Sequence, residues 1–245
     1  MSRGSYTFNV RTYECGPDGF VSLASICNYL QEAASINASE LGFSKSNYDS
    51  QGKNVSWVLT RLSIRMQSYP RWEECVTVET FPRGGRKIVA WRDFELKNAR
   101  GERIGVASSE WMMIDLSTRK ITSIPDDVLA CIDPNDVPVL GDNPFEKLRF
   151  PDEGSLISKS LMFKTQKSHI DLNGHVNNVH YVEWMLEPSD KMHPREIDIT
   201  FKSEALAGDE VVAKICANDS ECFHSVSSSS GKEHIIARTS CFVEE

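Results

Sequence analysis

The feature that most constrains this chain is a rhythm that occurs twice: a strand, one long amphipathic helix, then a run of strands. The first helix is predicted over Val21 to Leu41, where Leu23, Ile26, Cys27 and Leu30 recur at helical spacing. The second covers Val176 to Glu187. Val176, Val179, Val182 and Met185 form one stripe there, with Tyr181, Trp184 and Met185 beside it, and Pro188 suits a helix end. The remaining apolar stretches read as strands. They are Phe8–Thr12, Ser56–Gln67, Cys75–Phe81, Ile88–Leu96 and Ile104–Asp115, then Leu161–Gln166, Glu196–Phe201, Glu210–Ala217, Cys222–Ser227 and Ile235–Val243.

The two runs can be set against each other. Placing Val21 on Val176, an offset of 155, also brings Ile26 onto Tyr181, Tyr29 onto Trp184 and Glu32 onto Glu187. Residues 62–78 then match 197–213 at an offset of 135, and 101–113 match 231–243 at 130. Offsets that only shrink are what a tandem duplication leaves when its second copy has shorter loops. Each half has one helix and about five strands, so the economical fold is α+β, an antiparallel sheet wrapped around its helix. Setting two such units side by side covers sheet edges that would otherwise be open. The stretch Ser117–Ser160 is rich in Pro, Asp and Gly and reads as a surface connector. The expected division is residues 1–125, a linker over 126–155, and residues 156–245.

Composition removes several function classes. The net charge is −8 over 245 residues, which makes a poor general binder of nucleic acid or anionic lipid. No apolar run approaches the roughly 20 residues that span a bilayer. Cysteines at 15, 27, 75, 131, 216, 222 and 241 form no CxxC pair and no metal spacing, as expected of reduced thiols in a cytoplasm. GxSxG, GxxxxGK[ST] and GxGxxG patterns are absent.

Chemistry is concentrated in residues 169–178, HIDLNGHVNN. Asp171, Asn173 and His175 fall at i, i+2 and i+4, so an extended segment would turn all three to one side. A carboxylate, an amide and an imidazole would then converge at a helix N-terminus, whose free N–H groups could hold an oxyanion. The bland alternative is a turn and an N-cap. Against it, the first-half equivalents at offset 155 are Gly16, Asp18 and Phe20, so the triplet occurs once and points to a single site. Glu204, just past the strand ending at Phe201, is the next candidate and has Tyr69 opposite it in the repeat. His169 is a further candidate, whereas His180 reads as packed or solvated. Arg83, Arg86, Lys87 and Arg92 crowd one hairpin, with 83–87 as its expected turn, and could land an acidic partner.

The string 169–187 closely resembles the motif of acyl-acyl-carrier-protein thioesterases, tandem hotdog enzymes of plastids and bacteria. The family's Asp-x-Asn-x-His-Val-Asn-Asn-x-x-Tyr pattern is matched by Asp171, Asn173, His175, Val176, Asn177, Asn178 and Tyr181. Residues 199–205, ITFKSEA, look like the family strand that ends in a catalytic Glu. The resemblance implies a double hotdog in which Asp171, Asn173, His175 and Glu204 hydrolyse a fatty acyl thioester on acyl carrier protein. It implies no metal or organic cofactor. Many plant members have Cys directly after that Glu; Ala205 stands there here, which excludes a cysteine nucleophile at that place. No plastid leader is visible, so a bacterial-type cytoplasmic enzyme is expected.

On this reading the first half, with Phe20 and Tyr69 in place of His175 and Glu204, supplies an apolar tunnel for the acyl chain. Ile26 and Leu30 of its helix, with Trp57 and Leu59 of the next strand, are expected to line it. Arg83, Arg86 and Lys87 are the expected carrier-docking residues. Nucleic acid and membrane insertion are not expected, and a homodimer is left open. Rival readings are an acyl-CoA thioesterase, a hotdog hydratase or dehydratase, and a non-catalytic acyl-thioester-binding protein.

Overall fold

The alternation of apolar and polar residues that marks the strands produces one continuous antiparallel sheet. The structure, a computed structural model, describes residues 2–151, 157–172, 174–189, 192–218 and 220–242. Strand β1 (Gly4–Asn9) leads through a 3-10 turn at Thr12–Glu14 to α1 (Leu23–Glu40) and the short α2 (Lys45–Ser50). Then come β2 (Val55–Met66), β3 (Cys75–Arg86), β4 (Val89–Lys97), β5 (Arg103–Asp115) and β6 (Lys120–Thr122). After α3 (Asp126–Ala130), the second half runs β7 (Ile157–Lys164), a 3-10 turn at Lys167–His169, and α4 (Asn178–Leu186). It ends with β8 (Pro194–Phe201), β9 (Glu210–Ala217), β10 (Glu221–Ser228) and β11 (Glu233–Cys241).

The strand order is β1-β3-β4-β5-β2-β8-β11-β10-β9-β7, with β6 beside β5. Read outward from the β2–β8 seam, both halves have the same order, the double hotdog expected from the sequence. The seam pairs Ser63 with Asp198, residues 135 apart in the chain, so that pair lies on the local two-fold. Arg65 grips both Asp198 oxygens (3.0 and 3.1 Å), and Arg238 adds a contact of 2.9 Å. Each helix packs its apolar stripe on its own half of the sheet and also touches the other helix. Ser22 caps α1 by accepting the Ser25 N–H (3.1 Å), and Asn177 caps α4 by accepting that of Val179 (3.1 Å). Residues of both helices and both half-sheets belong to one buried cluster.

Two expectations need correction. The first strand is Gly4–Asn9 and not Phe8–Thr12, because the Glu14 side chain accepts the Arg11 N–H (2.7 Å) and closes a 3-10 turn there. The turn after β3 is at Lys87–Ile88, so Arg83 belongs to a bulged strand. Residues 131–151, read as a surface connector, are in addition tied to the sheet. Val139 donates to buried Asp93 (2.9 Å), Pro144 accepts from Ser63 (3.2 Å) and Gly141 from Arg83 (2.9 Å). Asp93 and core-facing Phe94 point to opposite faces, so this segment is strapped across the face turned away from α1. No helix among the described residues is long and apolar enough to cross a membrane.

Candidate active site

Between the 3-10 turn and α4 the chain doubles back on itself. Asp171 N–H donates to the His175 carbonyl (2.8 Å), Gly174 N–H to the Asp171 carbonyl (3.1 Å), and Ile170 bridges Val176. Gly174 has φ +82°, a conformation that glycine adopts without steric cost. The segment is therefore a tight turn, not the extended run expected, and the turn brings Asp171 and His175 together. Asp171 Oδ1 accepts the His175 N–H at 3.3 Å. Asn173 lies outside the described residues.

Two bonds fasten this turn to the segment beyond β8. Val176 N–H donates to the Ala205 carbonyl (3.1 Å), and Ala205 N–H donates to the Tyr181 hydroxyl (2.7 Å). Tyr181 is buried, and burial pushes its pKa up to about 12, so it stays a neutral hydroxyl clamp. Glu204 is thereby set beside His175, with Oε2 at 3.4 Å from Nε2. Where the loop enters α4, the N–H groups of Val176, Asn177 and Val179 are already bound. Capping and loop closure consume them.

A third charged group completes the cluster. Arg119 Nη2 lies 2.7 Å from Glu204 Oε2 and 2.9 Å from His175 Nε2. The residue sits after β5, on the other half of the molecule, with φ +57°. For a non-glycine residue that conformation costs about 1–2 kcal/mol. Its turn is held by Asp115, which accepts the Thr118 N–H on its side chain (2.7 Å) and the Arg119 N–H on its carbonyl (2.8 Å). The bond from the Thr118 N–H also lowers the Asp115 pKa. A guanidinium only donates, so the Arg119 contact is a hydrogen bond in the tautomer whose Nε2 accepts. The opposite ring nitrogen, Nδ1, is buried without a hydrogen-bond partner among the described residues.

Asp171, His175, Glu204 and Arg119 share one cleft of about 580 Å³. The first half supplies its other wall: Glu32 of α1, Trp57 and Leu59 of β2, Trp111 and Ile114 of β5. A second, more apolar cavity of about 210 Å³ adjoins it, and Gln31, Ser35, Ser56, Trp57 and Trp111 line both. No cluster of three or more His, Cys, Asp or Glu side chains among the described residues is arranged to hold a metal ion. His169 takes no part in the cleft. Its ring packs on His180 (4.6 Å) and Trp184 (5.3 Å), and burial lowers its pKa.

The family profiles for the acyl-ACP thioesterase N-terminal domain and C-terminal domain match residues 4–132 and 155–241. The chain belongs to the acyl-ACP thioesterase family. It is 28% identical, over 95% of its length, to the chloroplastic palmitoyl-acyl carrier protein thioesterase of Arabidopsis thaliana, of which it covers 62%. An oleoyl-acyl carrier protein thioesterase of the same plant is 32% identical over 74% of this chain and 52% of its own length. The chain thus spans about half to three-fifths of these relatives. Among solved structures, the 12:0-ACP thioesterase of Umbellularia californica superposes with a TM-score of 0.84 at 24% identity, covering 98% of this chain and 97% of that one. An acyl-ACP thioesterase from Bacteroides thetaiotaomicron gives 0.83 at 23% identity with the same coverage.

In this family member the residues expected to grip acyl chain and carrier fall in different places. Trp57 and Leu59 line the cleft, and Trp57 is anchored by donating to the Phe43 carbonyl (2.8 Å). Ile26 and Leu30 line neither cavity; both are fully buried in the common core, where the α1 stripe meets the sheet. Arg86 and Lys87 are exposed at the hairpin tip. Arg83 is not, since its side chain is 9% exposed and lies 3.5 Å from buried Asp93. Arg92 is half-buried in the wall of the second cavity, bound to Asn37 (2.7 Å), and desolvation pushes its pKa down to about 10.

Sequence reasoning missed Arg119. Its only local signal is a short turn after a long strand, and nothing in that turn says which distant carboxylate it faces.

Proposed function

We propose that this chain hydrolyses fatty acyl thioesters of acyl carrier protein, releasing free fatty acid and the carrier thiol. The observation that carries the reading is one cleft with two unlike walls. His175, Glu204 and Asp171 stand on one side, an apolar stretch of Trp57, Leu59, Trp111 and Ile114 stands among polar first-half residues on the other, and a further, more apolar cavity adjoins it. An acyl chain laid along the apolar wall would bring its thioester carbonyl to the charged one.

In the reaction, Asp171 either attacks the carbonyl or orients the water that does. Where Asp171 orients the water, His175 Nε2, unprotonated, accepts the water's proton and returns it to the departing thiolate. Where Asp171 attacks, the thiolate leaves first as the acyl–Asp171 anhydride forms, and His175 takes the proton of the water that then hydrolyses it. The adjacent Glu204 carboxylate stabilises the imidazolium formed on either route. Asn173 is assigned the positioning of the reacting groups. Residues 1–125 would hold the acyl chain, residues 156–245 would carry the chemistry, and 126–155 would join them. Arg86 and Lys87 are proposed to meet the acidic carrier. The free thiols of Cys15, Cys27, Cys75, Cys131 and Cys216 suit a reducing compartment such as a cytoplasm.

Steady-state thiol release from saturated acyl-carrier-protein and acyl-CoA substrates of graded length tests the reading. Turnover is expected on carrier-linked chains, with a preferred length. Faster turnover of CoA esters would make it an acyl-CoA thioesterase. Binding without thiol release would leave a hydratase or a non-catalytic binder.

A further inference from the structure

Among the described residues, His175 has no partner of the kind that usually orients a catalytic imidazole. In the familiar triads a carboxylate receives the Nδ1 proton and fixes both tautomer and ring angle. Here Nδ1 is buried with no partner among the described residues. Whatever holds the ring by side-chain contact must therefore act at Nε2, where Glu204 and Arg119 stand at 3.4 and 2.9 Å.

We propose that Arg119 is a positioning residue for hydrolysis, supplied by the first half to hold Glu204 beside His175 and to keep Nε2 of that ring unprotonated. This rests on the thioesterase reading above. One nitrogen, Nη2, reaches both partners, so the guanidinium ties the carboxylate and the imidazole into a triangle. Because it can only donate, it selects the tautomer whose Nε2 lone pair is available as a base. Stability does not account for the arrangement. The Arg119 and Glu204 side chains are 47% and 38% exposed, and ion pairs so open to water contribute little to folding. The backbone at Arg119 is also held at a positive φ that glycine would occupy without strain. Such strain persists only where the surroundings impose it, and here the Asp115 turn imposes it within reach of the reacting groups. The side chain is exposed enough to withdraw from Nε2 when the attacking water arrives, while its shorter contact to Glu204 persists.

The test compares Arg119→Gly and Arg119→Lys in the full chain. Glycine relieves the backbone, so the Gly variant should melt no lower than wild type and any loss of turnover cannot be a folding loss. Its kcat should fall by about tenfold or more with KM nearly unchanged, and lysine should restore part of it. Nitrogen NMR of the histidine rings should find His175 of the wild type protonated at Nδ1 and bare at Nε2, a preference weakened in the Gly variant. Wild-type kcat in Arg119→Gly would overturn the proposal, as would a wild-type ring carrying its proton on Nε2. A wild type that releases no thiol from any acyl thioester would instead defeat the thioesterase reading, and the ring tautomer would then decide the role of Arg119 alone.

Discussion

The molecule contains the same loop twice, once with charges and once without. At an offset of 155 residues, the 3-10 turn Thr12–Glu14 repeats as Lys167–His169, the Cys15–Val21 bridge repeats as Ile170–Val176, and the cap Ser22 repeats as Asn177. The scaffold is therefore indifferent to the chemistry hung on it. In the first half the slot is filled. Phe20 lies under the Arg71 guanidinium (4.0 Å) and edges His193 (5.5 Å), and buried Tyr69 donates to the Pro194 carbonyl (2.7 Å). Asp18 is spent on His193 (2.7 Å), and its pKa is lowered by its bonds to Phe20 N–H and His193 against an opposing burial effect. In the second half the positions of Phe20 and Tyr69 carry His175 and Glu204, which open onto a cleft with Asp171, the match of Gly16. One copy is packed shut, the other holds the candidate site.

The largest effect should follow from removing the charged copy. His175→Ala, Glu204→Ala and Asp171→Asn are each expected to lower kcat by at least about 100-fold while the protein stays folded. Asp18→Asn, at the other end in the position that aligns with Asn173, should leave kcat within about twofold, since its carboxylate is spent on His193. Steady-state thiol release decides. Near-wild-type turnover in His175→Ala would break the assignment of the second-half site, and a large loss in Asp18→Asn would mean that the filled end also takes part.

A second difference lies deeper in the sheets. Phe94 pairs with Ala107 on β5, and its counterpart His224 pairs with Ala237 on β11, so an imidazole replaces a phenyl ring in equivalent packing. His224 is fully buried and bound to the Met185 carbonyl and the Thr239 hydroxyl, both at 2.9 Å. Burial pushes its pKa down to about 4 from the usual 6.5. The unfolded chain then binds the extra proton first as pH falls. The stabilisation is complete above about pH 6.5 and is lost down to about pH 4, on the order of 3 kcal/mol in all. His224→Phe should remove this acid-sensitive component, although at neutral pH it costs about 1–3 kcal/mol for polar groups left unpaired. His169 and His234, also lowered by burial, are common to both proteins and cancel. Urea unfolding at pH 7, 5 and 4 measures this, and parallel losses in the two proteins would refute it.

How far the sequence revealed all this depended on how local each signal was. Both helices and most strands were legible because their periodicity lies within the segment itself. Glu14 moved the first strand by closing a turn that apolar alternation does not register, and β6, α2 and α3 are too short to leave a pattern. The site was legible where its residues are neighbours, as Asp171 and His175 are, or stand at a recognisable strand end, as Glu204 does. Arg119 comes from the other half, so only the folded sheet brings it there. Arg83 misled because a charge in a Gly-rich stretch reads as solvated, whereas Asp93 and the strap bury it. Ile26 and Leu30 misled for the opposite reason, since apolar residues on a helix stripe look alike whether they face a cavity or the core.

That last ambiguity sharpens the division of labour between the halves. Trp57→Ala should open the wall shared by the two cavities and move preference toward longer acyl chains, and Leu59→Phe should move it toward shorter ones. A buried methylene contributes about 0.8 kcal/mol, so a change of two carbons should shift relative kcat/KM roughly tenfold. Ile26→Ala and Leu30→Ala should instead cost about 2–5 kcal/mol of stability with the acyl profile unmoved. Acyl profiles of the stable variants decide it. If only second-half substitutions alter chain length, the apolar wall of the first half is not where the chain lies.

The smallest effect concerns the carrier. The first half carries Arg86 and Lys87 on an exposed hairpin tip of a chain whose net charge is −8. Arg86 lies over the Trp91 ring (5.6 Å), which holds its charge near the surface, whereas Arg83 is already committed to Asp93. Any pull on an acidic carrier from this hairpin must therefore come from two cations, not three. Replacing both with Glu should raise the KM for carrier-linked substrate several-fold at low salt and leave kcat alone, because rim charges act on encounter rather than on the bound state. The penalty should shrink as salt rises, since the screening length falls from about 30 Å at 0.01 M to about 8 Å at 0.15 M. An acyl-pantetheine thioester without the protein carrier has no acidic surface to lose and should be indifferent to the change. If KM for the carrier-linked substrate stays at its wild-type value even at low salt, the tip is an ordinary solvated turn and the carrier is met elsewhere. If both substrates suffer equally, the reversal has disturbed the cavity behind Trp91 and not a docking surface.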